Sequence, residues 1–391
     1  MYITVKDVKQ LQPAQTNQLT NVVDALFAGV DVTEIPTAPE FTMQRLVRTK
    51  TYKILTNTQT TNNLTYQTMT MACYMINERI RKHSNPQEEY ITFRIPKKTH
   101  GFREINAPKP ELKKDMKEIT SILENYLGIL THDSAWAYVK GRDIVSAMKE
   151  HTNNESRWYL KIDLKDFFGS CSPEFIVTQL KRIYPFAVWQ TDTHVNNMLE
   201  SLANFATLNG GLPQGTPLSP ILTNLIMVQY DYEINRLIYN LTKQDRLFKQ
   251  KYIYTRYADD IIISARNKFE YNNLIDALKT LFEHTPLVIN EEKTRFGSNA
   301  GRNWNLGVMC NKDNNITVGH KRKQELKAIV HNYITDENLW SLEDLRWLLG
   351  QLNWIQMVEP EYFTGLMNYF QNKYDIMVWD KVIQDIKSYN N

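Results

Sequence analysis

The sequence predicts an α+β fold of antiparallel hairpins and helices, not a doubly wound sheet. Three observations predict it. Strand-like runs come in adjacent pairs joined by short turns, at 90–106 and 252–264, which is the signature of antiparallel hairpins. Helical periodicity fills the stretches between them without regular strand–helix alternation. From Lys321 onward the pattern is helical throughout. The 391 residues, 42% hydrophobic and 23% charged, allow two to four sub-domains and exclude a wholly disordered chain.

No run approaches the ~20 apolar residues of a spanning helix, and Met1-Tyr-Ile-Thr-Val-Lys6 lacks the pattern of a secretory leader. Cys73, Cys171 and Cys310 are too scattered for a disulfide framework or zinc site, so a reducing cytoplasm and no membrane are expected. The net charge of +3 is uneven: residues 41–120 carry an excess of 8 positive charges, and Lys321, Arg322 and Lys323 form a second cluster. Such a layout suits either a phosphate backbone or a solvated basic surface.

In order along the chain, Asp31-Val-Thr-Glu34, Pro36 and Pro39 mark a polar loop, and a helix is predicted near 64–83, ended by Ser84-Asn-Pro86. Tyr90–Pro96 alternates as a strand, Lys97–Gly101 turns, and Phe102–Asn106 returns. A helix follows near 110–128. Trp158–Asp163 reads as a strand, and Pro173 opens a helix. Asn209–Pro217 is a Gly- and Pro-rich loop running into a helix from about Pro220 to Tyr239. Tyr252–Tyr257 and Ile261–Ser264 read as strands around a tight acidic turn, with a helix near 268–284. Leu287–Ile289 and Trp304–Met309 are predicted as short strands.

The candidate chemistry lies in Asp163, Asp259 and Asp260, each at the end of a β-run. Adjacent aspartates repel at short range. They are tolerated in a solvated turn, or where a hard divalent cation such as Mg²⁺ draws on carboxylates, phosphates and water. Two such ions clamp the reacting oxygens of in-line phosphoryl transfer.

The surrounding motifs resemble those of reverse transcriptases. Leu160–Phe168 looks like that family's first palm motif, Gly211–Pro220 its second, Tyr257-Ala-Asp-Asp260 its Tyr-x-Asp-Asp signature and Leu287–Thr294 its fourth, while Trp304–Met309 is similar to its primer grip. All stand in the family's order across roughly 88–370. The resemblance implies a right-hand polymerase: an N-terminal extension over 1–85, mostly helical and a candidate RNA contact, fingers over 86–157, a palm with interleaved fingers helices over 158–318, and a helical thumb over 319–391. It implies RNA-directed DNA synthesis from deoxynucleotides (dNTPs) with two Mg²⁺ ions, Mn²⁺ being a substitute. The partners would be an RNA template and a DNA product, with a partner protein or second copy left open.

By the same resemblance, Asp163, Asp259 and Asp260 hold the metals, with the Leu164 carbonyl completing one shell. Arg103 and either Lys97 or Lys98 close over the triphosphate, and Asp166 lies near it. Phe168 walls off a 2′-hydroxyl, Phe167 belongs to the core, and Gln214 and Gly215 lie against the nascent base pair. Lys293 protonates the leaving pyrophosphate. Leu306 and Gly307 belong to the primer grip, and Lys321, Arg322 and Lys323 touch the nucleic-acid backbone.

Ile95–Ile105, Tyr138–Ile144 and Leu349–Trp354 look like the bacterial lineage of retrons, group II intron proteins and defence-associated enzymes. Retrons carry Asn-Ala-x-x-His, where this chain has Ser146-Ala-Met-Lys-Glu-His151, and Val-Thr-Gly, where it has Asn305-Leu-Gly307. On those departures and the polar N-terminal extension, a standalone defence-associated enzyme copying a cognate noncoding RNA against phage is expected ahead of a retron. The same motifs also admit a template-independent DNA polymerase, or an RNA-binding scaffold with a vestigial site.

Overall fold

The computed structural model describes residues 66–96, 101–244, 250–301, 304–336 and 340–389. Helix α1 (Tyr66–Ile80) precedes the hairpin β1 (Tyr90–Pro96) and β2 (Phe102–Pro108), then α2 (Pro110–Ser121), which runs into a π turn at Ile122–Tyr126. Next come α3 (Ile144–Asn153), β3 (Trp158–Asp163), α4 (Pro173–Leu180), α5 (Thr193–Ala206), α6 (Leu218–Ile226) and α7 (Val228–Gln244). The hairpin β4 (Ile253–Tyr257) and β5 (Asp260–Ala265) leads to α8 (Asn272–Phe282) and the short strands β6 (Arg295–Ser298), β7 (Trp304–Asn305), β8 (Val308–Cys310) and β9 (Ile316–Thr317). Helices α9 (His320–Thr335), α10 (Leu342–Val358), α11 (Pro360–Tyr374) and α12 (Val378–Ser388) follow. The class is α+β, as predicted.

The chain divides into two units. One takes the described residues up to Gly141 with Asp163–Asn240 and Asn272–Lys293; the other takes Arg142–Ile162, Leu241–Tyr271 and the chain from Thr294.

In the first unit, α1 buries Met69, Ala72, Cys73 and Ile76 at helical spacing and packs on α5 and α2. Asp192 caps α5, accepting from the Val195 N–H at 3.0 Å, and also accepts from the Tyr66 hydroxyl at 3.0 Å. His83 is buried with Nδ1 2.8 Å from Glu89 and Nε2 3.0 Å from Asp115, so it ties the end of α1 to the start of β1 and to α2. Burial works against ionisation of Asp115, but hydrogen bonds from Lys82 and His83 outweigh it and hold the carboxyl below its ordinary range.

In the second unit the sheet order is β4-β5-β3-β6. β4 and β5 pair antiparallel from Ile253–Ser264 to Tyr257–Asp260. The Arg157 N–H donates to the Ala265 carbonyl at 2.9 Å, so the start of β3 meets the end of β5. Ile261, Ile262 and Ile263 are all wholly buried, the continuous apolar run of a strand covered on both faces. The helices α9 to α12 share a core that includes Leu326, Leu348, Leu352, Phe370 and Val382. Glu359 joins that bundle to β9, accepting from the Thr317 hydroxyl at 2.9 Å and the Val318 N–H at 2.8 Å while pairing with Lys323.

Several elements differ from the sequence reading. The single strand predicted over Trp304–Met309 is a hairpin, because Leu306 (φ 54°) and Gly307 (φ 82°) are left-handed and reverse the chain. Leu287–Ile289 contributes only an isolated bridge, Leu164 to Ile289. The helix predicted from Pro220 to Tyr239 is two helices, α6 and α7, and the one predicted over 110–128 gives way to the π turn after Ser121. Helices α3 and α5 were not predicted. For α3 the start signal is a capping box in which Asp143 accepts from the Ser146 N–H at 2.7 Å and Ser146 Oγ accepts from the Asp143 N–H at 2.9 Å; Ser replaces the usual Glu or Gln at the third position. Most of the predicted extension, residues 1–65, lies outside the described residues.

Candidate active site

Asp163 ends β3 and is buried. The segment around Ile289 runs beside it: the Asn290 N–H donates to the Asp163 carbonyl at 2.7 Å, and the Lys165 N–H donates to the Val288 carbonyl at 2.8 Å. The Asp163 carboxylate accepts from Asn290 Nδ2 at 3.2 Å, and Lys293 Nζ lies 3.2 Å from both its oxygens. A 3₁₀ turn over Glu291–Lys293 carries the lysine back to it. Lys293 therefore neutralises Asp163, a contact that spacing alone did not reveal.

The chain then turns through Asp166 (φ 40°), which is exposed. A Cβ on Gly169 would fall 2.3 Å from Asp166 Oδ2, so Gly169 leaves room for that carboxylate. Phe167 enters the core, as expected, and the half-buried Phe168 meets the Tyr138 ring edge-on with centroids 6.4 Å apart. The Phe168 carbonyl accepts from the Leu212 N–H at 3.0 Å, which docks the Gly211–Pro220 loop on this turn. There a Cβ on Gly211 would lie 2.1 Å from the Gly169 carbonyl oxygen.

The same loop reaches the first hairpin. The Asn106 N–H donates to the Gln214 carbonyl at 3.0 Å, and a Cβ on Gly215 (φ 108°) would lie 2.9 Å from Ile105 Cγ2. So one unit brings Asp166, Phe168, Gln214 and Gly215 together beside β2, the strand of the exposed Arg103. Lys97 and Lys98 lie outside the described residues. The loop is held by two hydroxyls that were not singled out in the sequence: Ser219 Oγ donates to the Pro213 carbonyl at 2.9 Å and lies 2.6 Å from Thr216 Oγ1. Their spacing of three at a helix start was the available signal.

In the second unit the Tyr257–Asp260 pair closes the β4–β5 hairpin and leaves Ala258 (φ 56°) and Asp259 as the turn. The wholly buried Arg256 donates from Nη1 to the Ala258 carbonyl at 3.2 Å. Lys161 Nζ sits 2.9 Å from Asp260 Oδ1, with both side chains about one-fifth exposed (23% and 22%). Burial, then the Asp143 charge, pushes the Tyr257 hydroxyl pKa upward.

Behind the hairpin, His151 is wholly buried, with Nδ1 2.6 Å from Ser264 Oγ and Nε2 2.8 Å from Thr255 Oγ1. It bridges β4 and β5, and burial lowers its pKa to about 3, so it is neutral.

At the Leu306–Gly307 turn, a Cβ on Gly307 would lie 3.9 Å from the Trp354 ring, and both polar side-chain atoms of Asn305 are buried without a hydrogen-bond partner. Lys321 is 90% exposed, Arg322 lies over Trp354 (5.8 Å) and donates to Gln351 at 3.3 Å, and Lys323 is held by Glu359 and the Tyr362 ring. All three have partners within their own unit, Lys321 pairing with Glu325 at 3.7 Å. Among the described residues, no three His, Cys, Asp or Glu side chains form a ready metal cage. A Mg²⁺ site completed by phosphates and water does not require one.

A family model described as reverse transcriptase (RNA-dependent DNA polymerase) matches residues 95–328. The chain belongs to the reverse transcriptases. Retron Ec83 reverse transcriptase of Escherichia coli is 30% identical over 315 residues, covering 78% of this chain and 92% of its own length. Retron Ec73 reverse transcriptase of the same species is 28% identical over 284 residues (71% and 86%), and retron Mx65 reverse transcriptase of Myxococcus xanthus 29% over 287 (70% and 62%). The chain is thus an RNA-directed DNA polymerase of retron-like kind. The two motif departures, at Ser146 and at Asn305-Leu306-Gly307, do not separate it from those relatives.

Proposed function

We propose that this reverse transcriptase copies a cognate noncoding RNA into DNA by two-metal phosphoryl transfer at Asp163, Asp259 and Asp260, in the service of antiphage defence. The retron relatives favour a retron-type enzyme, whose resemblance implies RNA-linked single-stranded DNA, over the standalone enzyme expected from the motif departures.

The observation that carries the site reading is the sheet order: the strand that ends on Asp163 is the hydrogen-bonded neighbour of the strand that begins on Asp260. The donor set is hard carboxylate oxygen and fits Mg²⁺, or Mn²⁺ in its place. Bound there, the ions supply polarisation of the attacking 3′ oxygen and neutralisation of the leaving phosphates.

The chain's own residues do the rest. Phe168, set against Tyr138, walls the sugar. Gln214 and Gly215, fixed to the first hairpin, support the base pair, and the narrow clearance at Gly215 keeps the backbone close. Arg103, with Lys97 or Lys98, meets the triphosphate as a forked donor and a point charge. Lys293 exchanges Asp163 for the departing pyrophosphate and protonates it. Lys321 and Arg322 meet the nucleic-acid backbone next to the Leu306–Gly307 turn.

The test is the Asp259→Asn, Asp260→Asn double variant. Primer extension on RNA should vanish while the far-UV circular dichroism stays that of the parent. Sequencing the DNA from expressing cells should recover the complement of one linked RNA, and phage protection should disappear with the activity. Protection that survives the double variant would sink the defence role, and DNA matching no RNA would favour template-independent synthesis.

A further inference from the structure

We infer that Lys161 is a resident counter-ion of Asp260 that sets how readily the catalytic carboxylates take a divalent cation. The inference rests on the metal reading above and deepens it. Lys161 lies two residues before Asp163 on β3, so both side chains leave the same face of that strand. The Lys161 ammonium reaches across to the neighbouring strand and sits 2.9 Å from Asp260 Oδ1. With the two side chains 23% and 22% exposed, solvent screens the pair only in part.

Two consequences follow from this charge. Without metal, the ammonium offsets the repulsion of adjacent Asp259 and Asp260. With metal, the same ammonium competes for the Asp260 oxygen that a cation would take. The β4–β5 turn is otherwise set by backbone pairing and by Arg256 on the Ala258 carbonyl. Lys161 is therefore not needed to make the turn. Its effect falls on the charge of Asp260, and it acts through that residue rather than on substrate.

The experiment measures Mn²⁺ binding to the full-length protein, without nucleic acid or nucleotide, from the loss of the free-ion electron paramagnetic resonance signal. Lys161→Met should bind Mn²⁺ about tenfold more tightly, which corresponds to about 1.4 kcal/mol. The Mg²⁺ concentration for half-maximal primer extension should fall in step, and Lys161→Arg should restore the parent's Mn²⁺ affinity. Because Lys161→Met removes the ammonium that pairs with Asp260 and puts folding at risk, the pair is also compared on an Asp260→Asn background. There the lysine should no longer alter Mn²⁺ affinity.

Unchanged or weaker Mn²⁺ binding in folded Lys161→Met would overturn the inference and leave the metal reading intact. So would an effect of Lys161 that persists with Asn at 260. Failure of the parent to bind Mn²⁺ in a way that depends on Asp259 and Asp260 would overturn the metal reading, and the inference with it.

Discussion

Gly211 and Phe168 border the same contact, where the Leu212 N–H meets the Phe168 carbonyl, and each constrains it differently. A side chain at Gly211 would meet a carbonyl oxygen at 2.1 Å, and backbone cannot yield as a side-chain tip can. Gly211→Ala should therefore cost about 1–3 kcal/mol in denaturant unfolding and lower primer extension by shifting Gln214 from the Asn106 N–H. Phe168 is half-buried against Tyr138, so truncation frees space at the proposed sugar pocket with little loss of core. Phe168→Ala should reduce discrimination against ribonucleotides by about 10- to 100-fold in single-nucleotide extension. Unchanged discrimination would reject the sugar-wall role. Both residues were legible in the sequence as motif positions. Their contact partners, Gly169 and Tyr138, were not, because those lie elsewhere in the chain and meet only on folding.

The β4–β5 hairpin is the element on which the candidate site depends, and His151 is its buried brace. Its folded pKa is about 3 against about 6.5 unfolded, so the unfolded chain binds the proton first. The stability that neutral His151 contributes is complete above about pH 6.5 and is lost as pH falls from there toward 3. By pH 5 the loss should reach about 2 kcal/mol. A thermal melt series from pH 7.5 to 5 should fall more steeply for the parent than for His151→Asn, and equal slopes would contradict the assignment. The sequence marked this histidine only as a displaced match to a retron element. The structure gives it a packing role that tolerates the substitution at Ser146, since the imidazole's partners are Ser264 and Thr255.

For the molecule as a whole, function depends on a charged template that must be held and released. An excess of 8 positive charges over residues 41–120, with Lys321 exposed on α9, suits sequence-independent neutralisation of phosphates. Raising monovalent salt from 50 to 200 mM should weaken binding to an RNA template–primer by an order of magnitude or more in fluorescence anisotropy. A salt-independent affinity would point to recognition by stacking and hydrogen bonds alone. No helix among the described residues is long and apolar enough to cross a membrane.

What the sequence determined by itself was the α+β class, the paired hairpins and the order of the motifs, and it picked out the three aspartates as candidates. These are local: they follow from period-two alternation, turn chemistry and short spacings that survive without a fold. Tertiary structure alone decided which lysine faces which carboxylate, Lys161 with Asp260 and Lys293 with Asp163. It also decided that Trp304–Met309 turns back on itself, and that Lys323 is bound by Glu359 instead of facing solvent. Ion pairs and left-handed turns depend on distances between residues far apart in the chain and on the packing around them, and neither leaves a periodic trace in the sequence.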